Sequence, residues 1–210
     1  GMRPVEWLLT QASIDERWCI VHATHMTDRE VTGLAASGAV AGLAPSTEAD
    51  LGDGIFPAES YLQVGGRFGV GTDSNAMIDP FAEIRQLEWS QRLRLRRRNV
   101  LVDDSRAPVG QSLWRAAAKG GAQALARPTG RLAPGMRADL IVLDGDDPAL
   151  AEQPVECVLD AAIFGPCRRP VRDVMSRGRW IVRDGHHARE QDVLRRFRAA
   201  LARIKLSSPP

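Results

Sequence analysis

Two short polar segments stand directly behind apolar runs and hold residue types that hydrolytic chemistry uses. Val21-His22-Ala23-Thr24-His25 follows Trp18-Cys19-Ile20, and Gly71-Thr72-Asp73-Ser74-Asn75 follows Arg67-Phe68-Gly69-Val70. An imidazole exchanges protons near neutral pH, and a carboxylate accepts protons or binds divalent metals. If each apolar run is a buried strand, each polar group sits where the strand ends and a loop begins, which is the edge that holds the chemistry in parallel α/β folds. Taken singly, neither residue specifies a function. A lone strand-end aspartate is more often a cap or loop hydrogen-bonder than a ligand, and a lone histidine is more often a satisfied core group. His25 reads as a supporting contact or a contact to a helix N-terminus, and His186-His187 as surface loop.

The elements that must position these residues read as repeated βα units. After the strand Trp18 to His22, Thr27 and Glu30 have capping-box spacing, which opens a helix over residues 28–37 that Gly38 can end in a left-handed C-cap. Val40 to Ala44 is a second apolar run without alternation, as in a strand buried on both faces, and Pro45 ends it. Residues 46–54 read as polar turn, residues 57–64 as a short helical segment, and residues 67–72 as the third strand. Asp79-Pro80 supplies an N-cap and a φ-fixed first residue for a helix that buries Phe81, Ile84 and Leu87. The run Arg92, Arg94, Arg96, Arg97 and Arg98 is read as the solvated end of that helix, since no aromatic residues interleave as stacking platforms for nucleic acid. Residues 103–110 read as a loop, and Ser112 as the cap of a helix over residues 113–126 whose Ala and Gly content allows close packing.

From Gly130 the pattern changes to a small β module. A Pro134-Gly135 corner leads into the strand around Leu140 to Leu143, and Val171 to Met175 pairs with Trp180 to Val182 around the turn Ser176-Arg177-Gly178. Val193, Phe197, Leu201 and Ile204 recur at helical spacing, so a C-terminal amphipathic helix is expected to pack back on the barrel side.

Composition sets bounds. The 210 residues are 44% apolar and 26% charged, enough for a sizeable core. A net charge of +2 from 28 basic and 26 acidic side chains gives no global field favouring nucleic acid or an anionic membrane. Cys19, Cys157 and Cys167 are odd in number and lack zinc-finger spacing, which points to a reducing cytoplasm rather than a disulfide framework. No run approaches the ~20 apolar residues of a membrane span, and no secretory leader is read at the amino end, where Gly1 before Met2 looks like a tag scar.

With these residues in hand, the sequence resembles the C-terminal half of the amidohydrolase superfamily, and within it the formimidoylglutamate deiminases of histidine degradation. The broad resemblance rests on Gly130 to Asp144 and Asp173 to Gly185; the narrower one rests on Trp18 to His25, Pro45 to Pro57 and Phe81 to Arg94. It implies an α/β fold: a partial (β/α)8 barrel made of its C-terminal βα units, residues 1–128, plus part of a small β-sandwich domain, residues 129–186, and a C-terminal helix and tail, residues 187–210. The three apolar runs would be barrel strands six, seven and eight.

In that family a His-x-His pair from strand one, a His from strand five and an Asp from strand eight surround zinc or another divalent metal. The resemblance places that Asp at Asp73, as metal ligand and proton acceptor, and the strand-six His at His22, as a catalytic group that polarises substrate or passes a proton to departing ammonia. The histidines of strands one and five have no counterpart in these residues, so the chain alone is expected to hold no metal and to be inactive. The pattern also differs at Asn75, where the family carries His, near Ala44, where it carries Cys, and at Asp50, where it carries Asn. An Asn hydrogen-bonds but cannot carry a proton near neutral pH.

Three expectations follow. The chain is an inactive C-terminal portion of such a hydrolase, or one half of a split deiminase completed by another polypeptide, or a non-catalytic interaction module. Its expected partners are a second copy of itself or the missing N-terminal barrel half, with a small-molecule substrate only on complementation, and neither nucleic acid nor membrane.

Overall fold

Cys19–Val21 (β1), Val40–Leu43 (β2) and Arg67–Val70 (β3) pair side by side in chain order as a parallel sheet. Cys19 stands opposite Val40, and Leu43 opposite Val70. The computed structural model describes residues 1–74, 77–103 and 107–207, with side chains described as far as Ile204. β2 is the central strand, and its Val40, Ala41 and Leu43 are buried, as expected of a parallel strand covered on both faces. β1 is an edge strand with Cys19 and Val21 exposed. The sheet of three strands does not close into a barrel.

Helices fill the connections. Pro4–Gln11 (α1) precedes β1, and Asp28–Ser37 (α2) links β1 to β2. Thr27 and Glu30 form the expected reciprocal capping box, and Gly38 ends the helix at φ +75°. The segment read as polar turn is instead helical: Pro45–Leu51 (α3) uses Pro45 as its first residue, and Gly52 as its left-handed cap. Proline stops a strand but starts a helix equally well, and buried partners for Ser46, Thr47 and Glu48 decide the outcome. Ala58–Gln63 (α4) then leads to β3.

Pro80–Leu95 (α5) begins at Asp79, whose carboxylate accepts the Phe81 N–H at 2.9 Å, and it buries Phe81, Ile84 and Leu87. Arg92 pairs with the buried Glu88 and Arg97 with Glu59, so two of the arginines read as a solvated run bind acidic partners. Val109–Ala124 (α6) starts four residues earlier than Ser112 as a cap would dictate; Pro108 is its N-cap, and the buried Ser112 hydroxyl makes no capping bond. Residues 104–106 of the expected loop lie outside the described residues. α6 lies against β3 so closely that a Cβ on Gly120 would fall 1.9 Å from the Phe68 carbonyl oxygen.

Leu140–Leu143 (β4), Val171–Ser176 (β5), Arg179–Arg183 (β6) and His186–His187 (β7) form a separate antiparallel sheet in that order. Its hairpin turns at Arg177 and Gly178, both at positive φ, the conformation that matches the strand twist. Between β4 and β5 lies Val158–Phe164 (α7), an unexpected helix. Leu150, Ala162, Ile163 and Cys167 from this stretch join the core beneath the parallel sheet.

The last helix, Glu190–Ser207 (α8), corrects an expectation. Its apolar face does not pack back: Phe197 is 58% exposed, and Val193, Leu201 and Ile204 are exposed with it. Periodicity reveals that a face needs cover but not what provides it. Among the described residues, no helix is long and apolar enough to cross a membrane.

Candidate active-site rim

His22 and Asp73 follow β1 and β3 at the same edge of the parallel sheet, where the strands end. Their side chains meet across the mouth of β2, with His22 Nε2 3.7 Å from Asp73 Oδ2 and both partly exposed. The backbone is bent to bring them there. His22 has φ +63°, Ala23 +48° and Asp73 +44°, a left-handed region that costs non-glycine residues of order 1–3 kcal/mol when strained, and that clusters at functional sites. The His22 N–H still donates to Gly42 O at 2.8 Å while Ala23 N–H closes a tight turn onto Val21 O at 2.9 Å. The ladder therefore ends at His22, and the imidazole turns over the sheet edge.

The first turn of α3 holds this arrangement with consecutive side chains. The Ser46 hydroxyl and N–H both donate to the buried Glu83 of α5. The Thr47 hydroxyl contacts Thr72 O at 3.2 Å and Ser74 Oγ at 3.1 Å and accepts the Ser74 N–H at 3.3 Å, which fixes the loop carrying Asp73. Glu48 Oε1 accepts the Ala44 N–H at 3.1 Å and lies 3.1 Å from His22 Nδ1. His22 thus stands between two carboxylates, one buried and one at the rim.

Sequence reasoning did not assign a role to Glu48. Its signal lies in position: Ser-Thr-Glu directly behind a buried strand falls at the same sheet edge as the two candidates. His25 does not join them; its carbonyl accepts from Arg3, and the residue is exposed. His186 and His187 lie on exposed β7, where His186 Nδ1 is 3.4 Å from Glu190. Asn75 lies outside the described residues.

As a metal centre the rim offers part of a donor set. Asp73 presents a carboxylate to solvent, and the His22 ring nitrogen faces it, but among the described residues no group of three or more His, Cys, Asp or Glu gathers in metal-holding geometry. A catalytic zinc normally takes three protein ligands. Asp73 fits as one of them.

Comparison with known proteins places this geometry in a family context. The profile described as "Amidohydrolase family" matches residues 2–181. A formimidoylglutamate deiminase from Pseudomonas aeruginosa is 52% identical over 204 residues, which cover 97% of this chain and 45% of that relative. The crystal structure of an amidohydrolase from Brucella melitensis superposes with a TM-score of 0.90 at 43% identity, over 97% of this chain and 44% of that one. An adenosine deaminase from Xanthomonas campestris, solved with bound zinc, gives a TM-score of 0.78 at 25% identity, over 92% of this chain and 44% of its own. The chain thus spans less than half the length of these relatives.

Proposed function

We propose, on the premise that this chain belongs to the amidohydrolase family, that its rim is the C-terminal part of a deiminase active site resembling that of formimidoylglutamate deiminase. The observation that carries the reading is the convergence of His22 and Asp73 at 3.7 Å on the strand-end edge. The similarity to the Pseudomonas deiminase favours a formimidoyl substrate over an adenosine-type one, because the identity to it is 52%. In this reading residues 1–128 belong to the barrel, residues 129–186 to the sandwich, and residues 187–210 form a C-terminal appendage.

Asp73 would hold the divalent metal through one carboxylate oxygen, and the metal, when bound, supplies the Lewis acidity that activates water. The other Asp73 oxygen is free to accept the proton that water gives up on attacking the formimidoyl carbon. His22 Nε2, which faces Asp73 on the same side, takes that proton up and passes it to the departing nitrogen, and the remaining proton of the attacking water follows it as the tetrahedral carbon collapses to C=O. The C–N bond breaks with its electron pair on that nitrogen, which leaves as ammonia, and N-formylglutamate remains.

The remaining ligands must be supplied from outside these residues, so the chain by itself is expected to release no ammonia above background. The test is an ammonia-release assay with formimidoylglutamate and zinc, on the chain alone and mixed with the separately expressed N-terminal half of the Pseudomonas relative. Turnover only on mixing, abolished by Asp73→Asn, is the expected result. Stoichiometric zinc and Asp73-dependent turnover by the chain alone would refute the requirement for outside ligands. A mixture that assembles yet neither binds zinc nor turns over would favour a non-catalytic interaction module.

A further inference from the structure

Glu48 is buried, with 5% of its side chain exposed, and its Oε1 serves two neighbours at once. The Ala44 backbone N–H can only donate, so Oε1 is an accepting oxygen. The same atom lies 3.1 Å from His22 Nδ1, and since Glu48 as a carboxylate has no hydrogen to give, the hydrogen in that contact belongs to the ring. We infer that Glu48 is a positioning residue that fixes neutral His22 as its Nδ1–H tautomer, leaving Nε2 to exchange protons at the rim. Carboxylate partners orient imidazoles in this way elsewhere, by holding one ring nitrogen and so choosing the state of the other. The geometry adds a consequence. Nε2 and Asp73 Oδ2, 3.7 Å apart, are too distant for a direct hydrogen bond, and in this tautomer both present lone pairs. The space they face is suited to a hydrogen-bond donor or a cation, and the use of Nε2 as proton donor to departing ammonia rests on the proposed function.

The tautomer can be read in the full chain without metal or substrate. Two-bond 15N–1H correlation spectra are recorded well above the ordinary histidine titration range, with the His22 ring identified by its loss in His22→Asn. The expected spectrum shows Nδ1 as the protonated, pyrrole-type nitrogen and Nε2 as the pyridine-type one, the reverse of the form an unconstrained imidazole favours. Glu48→Gln keeps an accepting carbonyl and should retain the pattern, whereas Glu48→Leu should shift His22 to the Nε2–H form. A wild-type ring protonated at Nε2 overturns the inference, as does a folded Glu48→Leu chain that keeps Nδ1–H. If Glu48→Leu does not fold, the wild-type and Glu48→Gln spectra decide, since both must show Nδ1–H. In the complemented enzyme, Glu48→Leu should lower kcat about 10–100-fold with little change in KM, and Glu48→Gln should recover most of the loss. Failure of complementation would count against the proposed function alone, while the ring spectrum tests the tautomer independently.

Discussion

At the scale of single residues, Glu30 joins two helix starts. Its carboxylate accepts from the Thr27 N–H at 2.7 Å and the Thr27 hydroxyl at 2.8 Å, completing the capping box of α2. It also accepts from Arg3 Nε at 2.9 Å and the Glu6 N–H at 3.1 Å, which anchors the first turn of α1. Burial alone would push its pKa up, but the hydrogen bonds from Thr27, Arg3 and Glu6 outweigh it and hold the group at about 2, down from 4.5. A carboxylate whose pKa is lowered on folding stabilises the fold above its unfolded pKa and loses that contribution as pH falls through the folded value. At 1.36 kcal/mol per unit this amounts to about 3 kcal/mol. Denaturant titrations should therefore show Glu30→Gln less stable than wild type by about 2–3 kcal/mol at pH 7, with the gap closing between pH 4.5 and 2. A gap independent of pH would mean that packing, not ionisation, carries the effect.

At the scale of elements, α6 and β3 show how closely a helix can be laid on a strand. A methyl on Gly120 would meet the Phe68 carbonyl oxygen at 1.9 Å and its carbon at 2.5 Å, backbone atoms that cannot swing aside. Overpacking of this kind costs about 1–3 kcal/mol or more, which exceeds the ~1 kcal/mol that alanine gains over glycine in a helix. Gly120→Ala is thus expected to destabilise the protein. Gly121→Ala, one residue on and with open space at its Cβ, should instead raise the melting temperature. A pair of thermal melts decides it, and equal effects at both sites would show that helix propensity alone governs. The close packing was legible from the Ala and Gly content of residues 113–126, and the capping residues Thr27 and Asp79 marked their helices correctly. α3 was not legible, because Ser46, Thr47 and Glu48 resemble turn residues until their buried partners are in place. α7 was hidden for a related reason: its Ala162 and Ile163 are ordered by packing against helices far away in sequence. The same limit applies to the site. His22 and Asp73 announced themselves by following apolar strands, whereas Glu48 sat in a segment whose conformation only tertiary contacts decide.

At the scale of the whole molecule, two features remain uncovered. β1 is an open edge of the parallel sheet, with Val21 58% exposed, and α8 carries Val193, Phe197, Leu201 and Ile204 in the open along one face. An unpaired strand edge is a template for further pairing, and a contiguous apolar surface favours association. Charge on α8 adds a direction: Glu190 and Asp192 lie in its first turn, whereas Arg198 and Arg203 lie towards its other end. Two copies packed antiparallel would place acids of one helix beside bases of the other, whereas a parallel pair would oppose like charges. Sedimentation velocity on the purified chain is therefore expected to show concentration-dependent self-association. Phe197→Glu, which introduces a charge into the middle of the apolar face, should shift the distribution to monomer, and Val21→Thr at the sheet edge should shift it less. High salt should weaken an antiparallel pair, because its ion pairs lie at the solvent-exposed rim of the contact. A monomer persisting at the highest attainable concentration would rule out self-pairing through this helix. Stable association unaffected by Phe197→Glu but lost in Val21→Thr would move the interface to the open edge of the sheet.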